Sequence, residues 1–257
     1  MRLLALLALC FAAVAAVPSN PQRIVGGSVT TIDRYPAMAA LLFSWSGAAG
    51  SVFTQMCGGT ILNNRAVLTA AHCVSGESTN RWRIRVGSSW PNSGGVVHYV
   101  NQIISHPQFS MNTKDHDVAV LRAVGTFSFN NNVRAASIAG SNYHLADNQA
   151  LWAAGYGTTS YGGPPSTQLR HVELRVINQA TCRNNYATQG IVISDNMLCS
   201  GWPNGGRDMC TYDSGGPVFH NGVVVGVCSF GQGCAQAQFP GVNARVSRFT
   251  SWITSNA

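Results

Sequence analysis

Arg81-Trp-Arg-Ile-Arg-Val86 and, further along, His171-Val-Glu-Leu-Arg-Val-Ile177 alternate polar and apolar side chains. A period of two places every second side chain on one face of an extended chain, so each stretch reads as a half-buried β-strand. Ala66-Val-Leu-Thr69, Val96-Val-His-Tyr-Val100, Val118-Ala-Val-Leu121 and Gly222-Val-Val-Val-Gly-Val227 are further short β-rich runs. Turn chemistry separates such runs, as in Pro91-Asn-Ser-Gly-Gly95, Asn130-Asn-Asn132 and Tyr161-Gly-Gly-Pro-Pro165. Helical spacing is confined to the last dozen residues, where Val246, Phe249 and Ile253, with Trp252 beside them, form one apolar face. The expectation is an all-β protein of two sandwich or barrel modules that ends in an α-helix.

Composition narrows the function classes. Of 257 residues, 46% are hydrophobic and only 10% charged, against about 25% charged in an average soluble protein. That excludes a disordered tail, a coiled coil and a collagen-like chain. The formal net charge is +7, yet Lys114 is the single lysine among 16 basic residues. The arginines are scattered, whereas a nucleic-acid footprint is a patch or stripe, so no nucleic-acid partner is expected. Arginine keeps its charge in strong alkali where lysine loses it. Codon usage explains the lysine deficit equally well. Only the N-terminus carries a long apolar run, which excludes a multi-pass membrane protein.

Met1-Arg2 followed by the apolar and small stretch Leu3–Val17 reads as a secretory signal peptide cut near Ala16. The expected destination is extracellular, with no membrane partner. Residues 17–23 carry two prolines and end in Arg23 before Ile24-Val-Gly-Gly27, the pattern of a propeptide with a processing site. Cys10 leaves with the leader. Seven cysteines remain, which permits three bridges and one free thiol, and spacing alone does not choose the pairs.

Three fragments carry chemistry: Thr69-Ala-Ala-His72-Cys73, Asp115-His-Asp117 before an apolar run, and Asp213-Ser214-Gly215-Gly216-Pro217. Serine needs a base to take its proton, and histidine titrates near neutrality. A carboxylate fixes the imidazole tautomer, and glycines beside the serine let backbone N–H groups approach an oxyanion. Each fragment alone is weak, but the three together with the processing site are hard to obtain by chance.

With these motifs, Ile24–Ala257 resembles the chymotrypsin-like serine proteases, and most of all the digestive trypsins of insect larvae. Ile61-Leu-Asn-Asn-Arg65, Cys199-Ser-Gly-Trp202 and the rarity of lysine carry the narrower match. The resemblance implies two antiparallel Greek-key β-barrels with a C-terminal α-helix, in a peptidase domain over 24–257 behind a signal peptide at 1–16 and a propeptide at 17–23. It makes His72 the base, Asp117 (rather than Asp115) the orienting carboxylate and Ser214 the nucleophile. The oxyanion hole falls to the backbone of Tyr212 and Ser214. Asp208, six residues before Ser214, becomes the floor of a pocket for Arg or Lys, with Ser229, Gly231 and Gly241 on its walls. After cleavage at Arg23 the Ile24 ammonium would pair with Asp213. The implied bridges are Cys57–Cys73, Cys182–Cys199 and Cys210–Cys234, leaving Cys228 free. Protein and peptide substrates, proteinaceous inhibitors, a monomeric state and no cofactor complete the expectation.

The sequence departs from the family pattern in two places. Tyr212 stands where the family has glycine, which motivates a second reading, a non-catalytic homologue acting as a binding or regulatory protein. The loop near Val86–Val97 holds no Asp or Glu, so no calcium or other metal is expected.

Overall fold

The computed structural model describes residues 24–257; the expected leader at 1–16 and propeptide at 17–23, with Arg23, lie outside the described residues. In chain order the strands of the first half are β1 Ser28–Val29, β2 Met38–Phe43, β3 Thr54–Ile61, β4 Ala66–Thr69, β5 Trp82–Val86, β6 Val96–Ser105 and β7 Ala119–Ala123. Those of the second half are β8 Ala150–Gly155, β9 Arg170–Val176, β10 Met197–Gly201, β11 Pro217–His220, β12 Val223–Phe230 and β13 Gly241–Arg245. Three α-helices accompany them: α1 Ala71–Val74, α2 Gln179–Ala187 and α3 Thr250–Asn256.

Strands β2-β3-β4-β7-β6-β5 close into one antiparallel barrel through the β2–β5 pairing. Strands β8-β9-β10-β13-β12-β11 close into another through β11–β8, and β1 extends the β9 side of it. Counted along the chain, both barrels follow the same Greek-key order 1-2-3-6-5-4. Closure removes the exposed edges that an open sheet would offer to other chains.

The alternation in the quoted stretches is explained by the barrel wall. Trp82, Ile84 and Val86 of β5 point into the first core, while Arg83 and Arg85 face outward. β2 lacks alternation because both of its faces are covered. Ala39, Leu41 and Phe43 fill the first barrel, and Met38, Ala40 and Leu42 pack against Tyr156 and Leu169 of the second. A strand buried on both sides is continuously apolar. The Tyr156 hydroxyl donates to the Ser88 carbonyl at 2.7 Å, tying the second barrel to the first.

Helix α2 was not expected, since helical pattern was assigned to the C-terminus alone. It is a mostly polar segment that buries only Cys182 and Tyr186. Its one local signal is Asn178, whose side chain caps the Thr181 N–H at 3.0 Å. The C-terminal segment starts as a 3-10 turn over Val246–Arg248 before α3, which buries Ile253. The three bridges pair as the resemblance implied, and Cys228 is free.

Tyr156 is fully buried, and its hydroxyl satisfies a carbonyl of the other barrel. Tyr156→Phe leaves that carbonyl without its donor and should destabilise the fold by about 1–3 kcal/mol. Urea unfolding, run in a Ser214→Ala background to prevent autolysis, measures this.

Candidate active site

The site lies where three loop segments meet between the barrels. His72 sits in the single turn of α1, directly after β4. Asp117 ends the turn before β7, and Ser214 lies in the loop before β11. His72 Nδ1 faces Asp117 Oδ2 at 2.6 Å, and the His72 backbone N–H donates to Asp117 Oδ1 at 2.8 Å. Asp117 is 1% exposed, so its position is set by these contacts rather than by water. With the ring proton held at Nδ1 by the carboxylate, Nε2 is left as the acceptor. Asp115 is employed elsewhere: it accepts from Ser194 Oγ and Asn196 Nδ2, each at 3.0 Å.

Ser229 was expected on the pocket wall. It lines the cleft, and its hydroxyl also donates to Asp117 Oδ2 at 2.5 Å. No sequence signal marked that contact, because Ser229 and Asp117 belong to different barrels.

Backbone geometry places the Ser214 loop. Gly58 N–H donates to the Ser214 carbonyl at 2.7 Å, and Gly215 N–H to the Cys228 carbonyl at 2.8 Å. Gly215 has φ +79°, and a Cβ there would stand 2.1 Å from Thr69 Oγ1. No other residue fits between the barrels at that point.

Ser214 and His72 line a cavity of about 560 Å³ with Asp208, Ser229, Gly231 and Gly241. Asp208 is 3% exposed and accepts from the Ala235 N–H at 2.9 Å. Burial pushes its carboxyl up to about 7 against the pull of the backbone donors. A Cβ on Gly241 would come within 2.6 Å of Asp208 Oδ1, so glycine keeps that carboxylate accessible. Gly231 is less constrained, its nearest contact being the Gly233 carbonyl at 3.3 Å. The Val25 carbonyl accepts from the Asp208 N–H at 3.1 Å, which joins the Ile24-Val-Gly-Gly27 segment to the pocket loop.

Asp213 is wholly buried and accepts from the Gly157 N–H at 2.7 Å and the Cys210 N–H at 3.0 Å. Burial pushes its carboxyl up to about 7 as well. Among the described residues, neither Asp208 nor Asp213 has a cationic side chain within 4.0 Å. Ile24 is fully buried in the second core. Burial, together with the Asp213, Asp208 and Asp117 carboxylates, pushes the Cys228 thiol up, which keeps it a neutral side chain of the cleft lining.

Tyr212 occupies the left-handed region with φ +72°. Its carbonyl accepts from Gln55 Nε2 at 2.8 Å, and the Gln55 N–H is held in turn by Asn92 Oδ1 at 2.9 Å. Gln55 and Asn92 were not legible as site residues, since their partners are remote in sequence.

A model of the trypsin family matches residues 24–253. The chain belongs to that family. Trypsin, alkaline C, of Manduca sexta is 61% identical over the full length of both chains. Trypsin CFT-1 of Choristoneura fumiferana is 60% identical over 99% of this chain and 98% of its own. Achelase-1 of Lonomia achelous is 48% identical over 91% of this chain and all of its own. With full-length trypsins this similar, the protein is a trypsin-like serine endopeptidase acting on protein substrates. The comparisons lend no support to the non-catalytic alternative.

A tyrosine at φ +72° costs about 1–2 kcal/mol relative to glycine. Tyr212→Gly should recover about that much stability in urea unfolding. Tyr212 also lines the cleft, so the same change should tighten a rigid protein inhibitor about tenfold or more. Turnover of a small Arg substrate should change little; a large rise would mean the tyrosine damages the oxyanion hole instead.

Proposed function

We propose that the protein is a secreted digestive zymogen that, once cut between Arg23 and Ile24, hydrolyses peptide bonds after Arg or Lys. The observation that carries this reading is the His72–Asp117 pair in one cleft with Ser214 and a buried Asp208. In the proposed mechanism Ser214 Oγ attacks the scissile carbonyl as His72 Nε2 takes its proton. Asp117 holds the imidazole and stabilises the imidazolium. The N–H groups of Tyr212 and Ser214 receive the developing oxyanion. His72 then protonates the leaving amine, and water repeats the sequence on the acyl-enzyme.

Charge sets the specificity. A carboxylate in a buried pocket favours a substrate that brings a guanidinium or ammonium, and a neutral side chain leaves it unpaired. Proton linkage sharpens the argument. A folded-state carboxyl raised to about 7 lends stability below its unfolded value near 4, and that contribution is lost as pH rises through about 7. A bound cation offsets the loss. Binding of a small guanidinium inhibitor, followed by calorimetry, should therefore tighten as pH rises from about 6 to about 8. Asp208→Ser should bind it weakly, lose that part of the pH dependence, and lower kcat/KM for Arg substrates by a factor of about 10²–10³. A retained Arg preference would overturn the pocket assignment.

Activation follows the same logic. Ile24 holds φ at +40°, a region that β-branched residues avoid. Cutting the bond to Arg23 abolishes that torsion and frees an ammonium to pair with the buried Asp213 carboxylate. The arginine-rich composition and the word alkaline in the names of the Manduca relatives point to an alkaline medium. A secreted monomer meeting dietary proteins and protein inhibitors fits both. Arg23→Gln should yield a precursor that trypsin treatment fails to activate; full activity without processing would overturn the zymogen reading.

A further inference from the structure

The outer wall of the first barrel carries a second cavity, of about 680 Å³, away from the catalytic groups. Leu42, Phe53, Arg83, Arg85, Val97 and Tyr99 line it. Arg83 and Arg85 are the outward members of the β5 alternation, opposite Tyr99 and Val97 of β6 in register. The Arg83 guanidinium lies 4.3 Å from the Phe53 ring centroid and 4.1 Å from that of Tyr99. Two rings thus hold it by cation–π contact, and its Nη1 donates to the Asn80 and Trp82 carbonyls at 3.0 and 2.7 Å. Arg85 donates to the Gly94 carbonyl, and its Nε is buried with no hydrogen-bond partner. Among the described residues neither arginine has a carboxylate within 4.0 Å, and no acidic residue lines the groove. One guanidinium held between two aromatic rings, beside a second with an orphaned donor, matches a carboxylate-bearing ligand.

The segment that enters β3 joins the groove to the cleft. Phe53, the residue before that strand, lines the groove, Gln55 holds the Tyr212 carbonyl, and Met56 and Cys57 line the cleft. With Asp208 read as the pocket for the residue before the scissile bond, the chain beyond the bond is placed along Met56 and Cys57, which line the same cleft. At about 3.3 Å per residue, the four steps from Cys57 to Phe53 span about 13 Å. An extended substrate running beside β3 reaches the groove about four residues past the cleaved bond.

We propose that this groove is a docking site for acidic residues of the protein substrate on the leaving-group side of the cut. The proposal rests on the reading of the cleft as the peptidase site and adds a second specificity determinant to it. The cleft selects a cation before the bond, and the groove selects an anion several residues after it.

The test uses the processed enzyme with three substrates. One is a small chromogenic Arg substrate with no residues beyond the bond. The others are two peptides of identical sequence around one Arg, carrying either two Glu or two Gln at the fourth and fifth residues past it. The enzyme should cleave the Glu peptide with a kcat/KM about five- to tenfold above the Gln peptide at low salt. That advantage should shrink as salt screens the contact, and it should vanish in Arg83→Gln/Arg85→Gln. Because Arg85 also ties the Gly94 carbonyl, Arg83→Gln alone is the second variant, and it should retain a reduced advantage. Small-substrate turnover should be unchanged in both variants. Equal cleavage of the two peptides by the wild type, or a Glu advantage that survives in the double variant, would overturn the proposal. Failure of the wild type to cleave the small Arg substrate would instead overturn the reading of the cleft, and is seen separately.

Discussion

The carboxylate of Asp213 is the constraint around which the functional end of the second barrel is built. It is fully buried, and the backbone closes on it from several sides. A Cβ on Gly155 would stand 2.1 Å from one of its oxygens, and a Cβ on Gly157 2.3 Å from the other. Two backbone N–H groups donate to it. Such a group is unstable alone, since burial favours its neutral form. Its place next to Ser214 couples whatever neutralises it to the geometry of the Ser214 loop. Asp208, five residues earlier, repeats the situation in the lining of the cleft, with Gly241 as its glycine. The two carboxylates differ in access: Asp208 lines the cleft, and Asp213 is closed off by backbone.

The shared strand order of the barrels explains why the cleft exists at all. His72 follows the third strand of the first barrel, and Ser214 lies between the third and fourth strands of the second. Equivalent loops therefore meet at the junction, and contacts across it hold the registration. Gly58 N–H bonds the Ser214 carbonyl, Thr69 Oγ1 crowds Gly215, and Ser229 Oγ bonds Asp117. A hydrophobic seam from Met38 to Leu169 backs these polar contacts. Tyr212 fits the same picture. Its left-handed backbone is held through its carbonyl by Gln55 of the first barrel, so strain in one module is restrained by the other.

Much of this was legible in the chain. The period-two runs became β5 and β9 nearly residue for residue, and β4 coincides with Ala66–Thr69. The His, Asp and Ser fragments carried their roles as candidates because each motif is local. What escaped had no local signature. Helix α2 is mostly polar and shows one capping residue, too little to stand out from a loop. The Ser229 contact with Asp117 joins residues 112 positions apart, and Gln55 reaches Tyr212 over 157. The duplicated topology left no repeat in the sequence, because a barrel wall requires only alternation and volume, which many side chains satisfy.

The sequence by itself determined the elements and the chemical candidates: strand periodicity, turn residues, cysteine number and the three catalytic-type motifs are properties of neighbouring residues. It also set the family, since those motifs and their order persist in any reading of the chain. The tertiary structure decided which candidates meet. Ser229 bonds Asp117, Gln55 holds the Tyr212 carbonyl, and Arg83 and Arg85 share one groove with two aromatic rings. Each of these depends on closing a barrel and packing it on another. That brings distant residues within a few ångströms, and burial then pushes the Asp208 and Asp213 carboxyls up through desolvation, which no stretch of sequence contains.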